Sequence, residues 1–202
     1  MENELSESQL DVLKEMFNLG IEKASAALAQ MIDKKLVVNM KEVRILPLAD
    51  VPAAAGGGET MVTGVFLRML GDITGSVLLC FPTDSARLLT DLLMGREAGT
   101  GGEAFTELDE SAIKETGNIL TNTYLNVLAE MMKMRVFPSI PHLAEDMLGS
   151  LLDFILIEIA QASDHAMVAE TVFELDGNKI TGTFLVFPDE KSLKLMLEKL
   201  GL

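Results

Sequence analysis

Apolar residues recur at spacings of three and four over residues 7–33 and again over 107–134, the period of an amphipathic helix. Turning successive residues by about 100°, Ile113, Gly117, Leu120, Tyr124, Val127, Leu128 and Met131 fall within roughly 60° of one direction. Leu10, Leu13, Phe17, Ala24, Leu28 and Met31 form the matching stripe of the first stretch. Ser6 with Gln9 reads as a capping box for the first helix, and Thr106 and Asp109 are candidate caps for the second. Elsewhere the pattern is extended. VRILPLADV (43–51) reads as a strand, and the corresponding place later in the chain is taken by PHLAEDMLGSLLDFILIEIA, whose spacing leans helical before turning extended. MVTGVFLRML and ITGSVLLCF flank Gly71-Asp72, a pair suited to a primed hairpin turn, and VAETVFEL and ITGTFLVF flank the Gly177-Asn178 region. Each hairpin ends in Phe-Pro, which stops the strand ahead of a short helix.

These elements come twice. Lys14, Glu15 and Asn18 recur as Lys114, Glu115 and Asn118, and Leu28-Ala29 and Met31 recur as Leu128-Ala129 and Met131. ITGSVLLCFPTDSARLLTDLLMG (73–95) aligns with ITGTFLVFPDEKSLKLMLEKLG (180–201), with one single-residue gap. Two matches in the same order imply duplication: one domain over 1–202 made of two repeats, about 1–98 and 107–202, joined by the Gly-rich linker 99–102. GGG (56–58) is a loop inside the first repeat. Neither glycine run has the following Lys-Ser/Thr, or the place between strand and helix, that a phosphate cradle requires.

Opposite the apolar stripe of the second helix, Ser111, Glu115, Asn118, Asn122 and Asn126 share an arc of roughly 80°. On the first helix the outward side carries Asp11, Glu15, Asn18 and Glu22. Any amphipathic helix has a polar face, and that accounts for most of these residues. It accounts poorly for asparagine, a weak helix former that solvent-facing positions rarely favour. Shared ancestry alone could also keep the repeated Glu-x-x-Asn, so the residue pattern leaves a functional and a passive origin open.

Composition narrows the classes. A chain of 202 residues with 49% hydrophobic content can bury a sizeable core. Sixteen Lys+Arg against 31 Asp+Glu leave a net charge of −15, which repels phosphate backbones and argues against a nucleic-acid partner. Residues 1–12 are acidic and polar, unlike a signal peptide, and LLDFILIEIA (151–160) is interrupted by Asp153 and Glu158 and too short to span a bilayer. The expectation is a soluble, cytoplasmic protein without a membrane partner. Cys80, the single cysteine, lies in the apolar run SVLLCF; it forms no disulfide framework and reads as a small buried hydrophobe. No G-x-S-x-G elbow is present, so nothing points to a nucleophile of the chain's own. His142 and His165 are the only histidines, with no paired metal-ligand spacing, and read as surface or capping residues.

The pattern Asp/Ser-x-x-x-Glu-x-x-Asn, met twice a hundred residues apart, resembles the CheC family of chemotaxis phosphatases, a group that also takes in CheX and FliY. Asp11, Glu15 and Asn18 match the first motif and Ser111, Glu115 and Asn118 the second, with KETGNI…TYLNVLAEMM and the Ile-Thr-Gly and Phe-Pro segments in support. The resemblance covers essentially the whole chain. It implies an α/β fold with α+β-like layers: an internally duplicated, pseudo-two-fold arrangement of two long helices packed on mainly antiparallel sheet. It implies a hydrolase that removes the aspartyl phosphate of CheY, the chemotaxis response regulator of two-component signalling. In that family the asparagine orients the attacking water and the glutamate pairs with the regulator's active-site lysine. Glu15, Asn18, Glu115 and Asn118 are then catalytic, Asp11 and Ser111 contact the regulator or orient the glutamates, and Asn122 is a flanking contact. No cofactor of the chain's own is expected; Mg²⁺ belongs to the regulator.

The two motifs depart unequally from the family pattern. The second keeps Gly117 before Asn118, with Pro141 near the place of a family proline, whereas the first has Phe17, continues as GIEKA and lacks a proline near position 41. The second site therefore ranks above the first. The resemblance also implies CheD, a receptor deamidase, as a partner, and 142–160 is either its contact or ordinary core. The competing reading is a non-catalytic adaptor that holds a response regulator, CheD or a flagellar switch protein. FliY-type relatives carry a switch-protein extension, and a chain ending at Leu202 is expected to act free-standing.

Overall fold

The computed structural model describes residues 7–32, 35–102, 104–158 and 164–199. The two long helices form as the spacing predicts: α1 (Glu7–Ile32) and α4 (Glu107–Met132). Thr106 caps α4 reciprocally with Asp109: Asp109 N donates to Thr106 Oγ at 3.3 Å and Thr106 N donates to Asp109 Oδ2 at 2.9 Å. At the other end Lys133 turns left-handed at φ 54° and closes the helix with a bond to the Ala129 carbonyl. The Ser6–Gln9 box expected for α1 lies outside the described residues.

Seven strands make one antiparallel sheet: β1 (Leu36–Pro47), β2 (Met61–Gly71), β3 (Gly75–Pro82), β4 (Val136–Pro138), β5 (His142–Met147), β6 (His165–Leu175) and β7 (Asn178–Pro188). The order is β1-β6-β7-β3-β2-β4, with β5 also on β2. The two hairpins, β2–β3 and β6–β7, meet in the middle through β3 and β7, from Gly75↔Pro188 to Cys80↔Thr183. The outer side of each hairpin is taken by a strand from the other half of the chain: β1 pairs with β6, and β4 and β5 pair with β2. Neither half has a sheet of its own.

Both faces of the sheet are covered. Val77, Leu79 and Phe81 of β3 join the main core, where Phe17, Leu28, Leu120, Tyr124 and Leu128 of the long helices meet Leu67 and Phe184. Leu78 and Cys80 alternate to the opposite face, under α5 (Leu148–Glu158) and the short α2 (Val51–Ala54). That is why SVLLCF reads as an unbroken apolar run rather than an alternating one. Cys80 is buried as expected, and burial pushes its thiol up to about 12. Helices α3 (Thr83–Leu93) and α6 (Glu190–Lys199) follow the two Phe-Pro stops. No described helix is long and apolar enough to cross a membrane.

Four details differ from the sequence pattern. Residues 141–158 run in the opposite order, strand β5 before helix α5: the outer edge of β2 offers unpaired backbone to His142–Met147, and Leu148, Leu152 and Ile155 then supply a helical stripe for the second core. The strand expected over 43–51 ends at Pro47, because Leu48–Asp50 and then Val51-Pro52 turn helical. Gly71-Asp72 is not a two-residue turn. The last β2–β3 pair is Met69↔Gly75, and β2 runs past it to Gly71↔Val136, where Asp72 accepts from Arg135 N at 2.8 Å. The primed geometry occurs instead at Asp176-Gly177 (φ 51° and 82°), between paired Leu175 and Asn178. Finally, Met31 and Met131, expected in the core, are 43% and 41% exposed; in the last turn of α4 it is Met132 that turns inward.

Candidate functional site

The outward faces of α1 and α4 owe their direction to what lies beneath them. A Cβ on Gly117 would stand 2.6 Å from Val65 Cγ1, so α4 is pressed against β2 at the residue before Asn118. A Cβ on Gly20 would stand 3.1 Å from Tyr124 Cα, so the two helices approach at backbone level. The Tyr124 ring fills the space over Gly20, with centroids 4.5 Å from Phe17 and 5.5 Å from Phe184. Its hydroxyl has no hydrogen-bond partner among the described residues, and burial pushes its pKa up. With two glycines and three rings fixing depth and rotation, neither helix can roll, and the side chains opposite the core are held toward solvent.

That is where the predicted residues stand. Asp11, Glu15, Asn18, Ser111 and Glu115 are exposed, while Asn118 and Asn122 are half-buried. The structure brings Glu115, Asn118 and Asn122 into one ladder. Asn122 Nδ2 donates to Asn118 Oδ1 at 2.8 Å and to the Asn118 carbonyl at 3.0 Å, and Asn118 Nδ2 donates to Glu115 Oε2 over a long 3.4 Å. Lys114 pairs instead with Glu110, at 3.5 Å. On α1, Lys14 pairs with Asp11 at 3.7 Å, with both side chains well exposed. Asn18 there borders a groove of about 410 Å³ between α1 and β1, shared with Glu22, Ala26, Ala29, Val38 and Met40. Ser25 knits the two elements below it, accepting from Val38 N at 3.0 Å and donating to the Leu36 carbonyl at 3.3 Å.

The start of α4 is tied down by residues outside the motif. Arg96 lies between two buried carboxylates, with Nε 3.0 Å from Asp91 Oδ1 and Nη2 2.5 Å from Asp109 Oδ1. Asp91 Oδ2 also accepts from the backbone N–H of Gly99 and Gly101, at 3.0 and 3.1 Å, which draws the glycine linker against α3. Burial alone would raise the Asp109 pKa; the Thr106 hydrogen bonds and the Arg96 guanidinium outweigh it and hold the carboxyl below its ordinary value. The sequence pattern offers Thr106 and Asp109 as caps, as found, but misses Arg96 and Asp91. Asp91 looks like any charge on a short helix, and only its burial among linker N–H groups sets it apart.

Two carboxylate–carboxamide pairs on stiff, adjacent rods can meet a cation and a water molecule at once. Among the described residues no group of three His, Cys, Asp or Glu is placed to hold a metal ion.

No protein-family model matches the chain. Its sequence is 29% identical over 202 residues, 98% of this chain and 97% of the other, to the CheY-P phosphatase CheC of Bacillus subtilis (strain 168). The fold matches the crystal structure of FliY from Thermotoga maritima with a TM-score of 0.75 at 18% identity, covering 96% of each chain. A chain of the CheX–CheY–BeF3–Mg²⁺ complex from Borrelia burgdorferi matches with a TM-score of 0.50 at 15% identity, over 86% of this chain and 96% of that one. In sequence along nearly the whole of both chains this chain is similar to a CheC protein, and in fold it is similar to FliY and CheX.

Proposed function

We propose that this chain is a phosphatase that hydrolyses the aspartyl phosphate of a CheY-type response regulator. The observation that carries the reading is the pair of solvent-facing Glu-x-x-Asn sets, Glu15 with Asn18 and Glu115 with Asn118, on helices whose rotation is fixed from below. The curated relative that aligns end to end is itself a CheY-P phosphatase.

The chemistry fits the residue types. Water attacks phosphorus in line with the bond to the aspartate oxygen; that bond breaks, leaving the regulator's carboxylate and inorganic phosphate, and the water's proton passes to solvent. Phosphoryl transfer goes through a loose transition state, so placing the nucleophile is much of what a second protein can add. A neutral amide both accepts and donates, and it adds no charge against the phosphoryl oxygens. Asn18 and Asn118 therefore orient the water. Glu15 and Glu115 pair with the regulator's active-site lysine and fix the docking register, with Asp11 and Ser111 one turn earlier on the same face. The divalent cation that neutralises the phosphoryl group is the regulator's Mg²⁺.

The rate of acyl-phosphate loss from a phosphorylated CheY-type regulator, with and without the protein, tests this directly. Asn18→Ala together with Asn118→Ala is expected to return the lifetime to that of the regulator alone. A double variant as active as the intact protein overturns the reading. The adaptor alternative predicts the contrary pattern, a stable complex and an unchanged phosphate lifetime.

A further inference from the structure

The two sites share Glu-x-x-Asn, yet the residue four places after the asparagine differs: Asn122 in the second site, Glu22 in the first. We propose that Asn122 is a positioning residue that sets which end of the Asn118 amide meets the water, and that Glu22 leaves the first site without this device. The inference rests on the phosphatase reading and says which of its two sites is armed.

The polarity of the ladder follows from its ends. Glu115, as a carboxylate, only accepts, so the edge of Asn118 that faces it is Nδ2. Oδ1 is then turned toward Asn122, which meets it with Nδ2 at 2.8 Å. The same Asn122 amide is steadied by the Asn118 main-chain carbonyl at 3.0 Å, one helical turn away. A carbonyl oxygen has two lone pairs. Asn122 uses one and leaves the other for a hydrogen of the incoming water. When a cation on the docked partner draws Glu115 aside, Asn118 loses its weak 3.4 Å bond and keeps the 2.8 Å one. The amide therefore enters the reaction already oriented, with less freedom to lose on the way to the transition state.

Glu22 cannot do this. It is exposed, borders the same groove as Asn18, and has only acceptor oxygens at neutral pH. Beside an amide it attracts Nδ2, and it places a negative charge next to the approaching phosphoryl oxygens. Chain position alone would make the sites equal; the donor at 122 makes them unequal.

The experiment isolates each site and reads steady-state dephosphorylation of a CheY-type regulator kept phosphorylated with a small-molecule phosphodonor. In Asn18→Ala protein, where the second site turns over alone, Asn122→Ala is expected to lower kcat about tenfold with KM within twofold, as for one lost orienting hydrogen bond. Asn122→Gln keeps a donor within reach of i−4 and is expected to recover kcat to within about threefold. Asn122→Asp, an acceptor of the same shape, is expected to fall at least as far as the alanine variant. In Asn118→Ala protein, Glu22→Asn is expected to raise kcat severalfold. An unchanged kcat in Asn122→Ala, a loss confined to KM, a glutamine variant no better than alanine, or an Asn18→Ala parent with no turnover overturns the inference. Those failures are distinct from that of the phosphatase reading, which falls if the intact protein leaves the phosphate lifetime unchanged or if Asn18→Ala with Asn118→Ala is still active.

Discussion

Beneath identical outward spacing, α1 and α4 are built from exchanged sizes. Where α4 has Gly117, α1 has Phe17; where α4 has Leu120, α1 has Gly20; where α4 has Tyr124, α1 has Ala24. Large meets small across the helix pair: Tyr124 lies over Gly20 and against Phe17, while Gly117 gives its place to Val65 of β2. The inner faces of the two helices are complementary in size, and both outer faces carry a carboxylate and a carboxamide three residues apart. Outward chemistry and inward shape can vary separately on a helix because side chains at i and i+3 share a face that its core stripe does not include. Phe17, standing where the second helix has Gly117, thus leaves Glu15 and Asn18 in solvent.

The most forceful way to break this comparison is to remove the large partner. Phe17 is fully buried between Tyr124 and Phe184, and Phe17→Ala is expected to lower unfolding free energy by about 3–5 kcal/mol, the usual range for an aromatic truncated in a core. Urea unfolding followed by circular dichroism measures it. A loss below about 1 kcal/mol would mean that the ring fills no essential space, and the size exchange would be accidental.

A smaller effect is expected from enlarging the small partner. Gly117→Ala gains helix propensity, about 1 kcal/mol, yet its new methyl would meet Val65 Cγ1 at 2.6 Å and Val65 Cβ at 2.8 Å. Val65 is β-branched and buried, so it cannot swing aside. Overpacking of this kind costs about 1–3 kcal/mol, and a net destabilisation of up to about 2 kcal/mol is the expected result. Adding Val65→Ala should recover part of it, giving a coupling in a double-mutant cycle that independent sites would not show.

The sequence carries more of the outer surface than of the interior. The period of three and four located both helices, and the asparagines, poor helix formers with no packing return, singled out the solvent face on which Asn18, Asn118 and Asn122 stand. Hairpin periodicity located β2–β3 and β6–β7. The exchange of outer strands was not legible, because which edge β1 joins is decided by pairing with β6, more than a hundred residues away, and leaves no local period. The order of β5 and α5 was misread for a related reason: the free edge of β2 makes a strand of residues whose own spacing leans helical. Gly20 inside GIEKA registers in a sequence only as a weak point of a helix. Its use, the close approach of Tyr124, appears once both helices are in place. The ladder at Asn122 was legible as proximity on one face, but not as a direction of donation.

The last contrast concerns two helix-borne aspartates, and it separates a buried anchor from a surface pair. Asp109 is held below its ordinary carboxyl pKa of 3.8 in the folded chain by Thr106 and Arg96 against the pull of burial. A group whose folded pKa is depressed stabilises the fold above its unfolded pKa and loses that contribution as pH falls through the folded value. Asp109→Asn is accordingly expected to lower stability by about 1–2 kcal/mol near pH 7, from the lost ion pair and weakened cap. The gap to the parent should shrink below about pH 4 as the parent's own carboxyl takes up a proton. Asp11, in an exposed pair with Lys14 at 3.7 Å, offers the comparison: Asp11→Asn is expected to stay within about 0.5 kcal/mol at pH 7, as solvent screening dictates. Urea midpoints at several pH values for the two variants read both effects at once. If Asp109→Asn still runs parallel to the parent well below pH 4, Arg96 and Thr106 do not hold the start of α4 by charge, and the two helices are anchored alike.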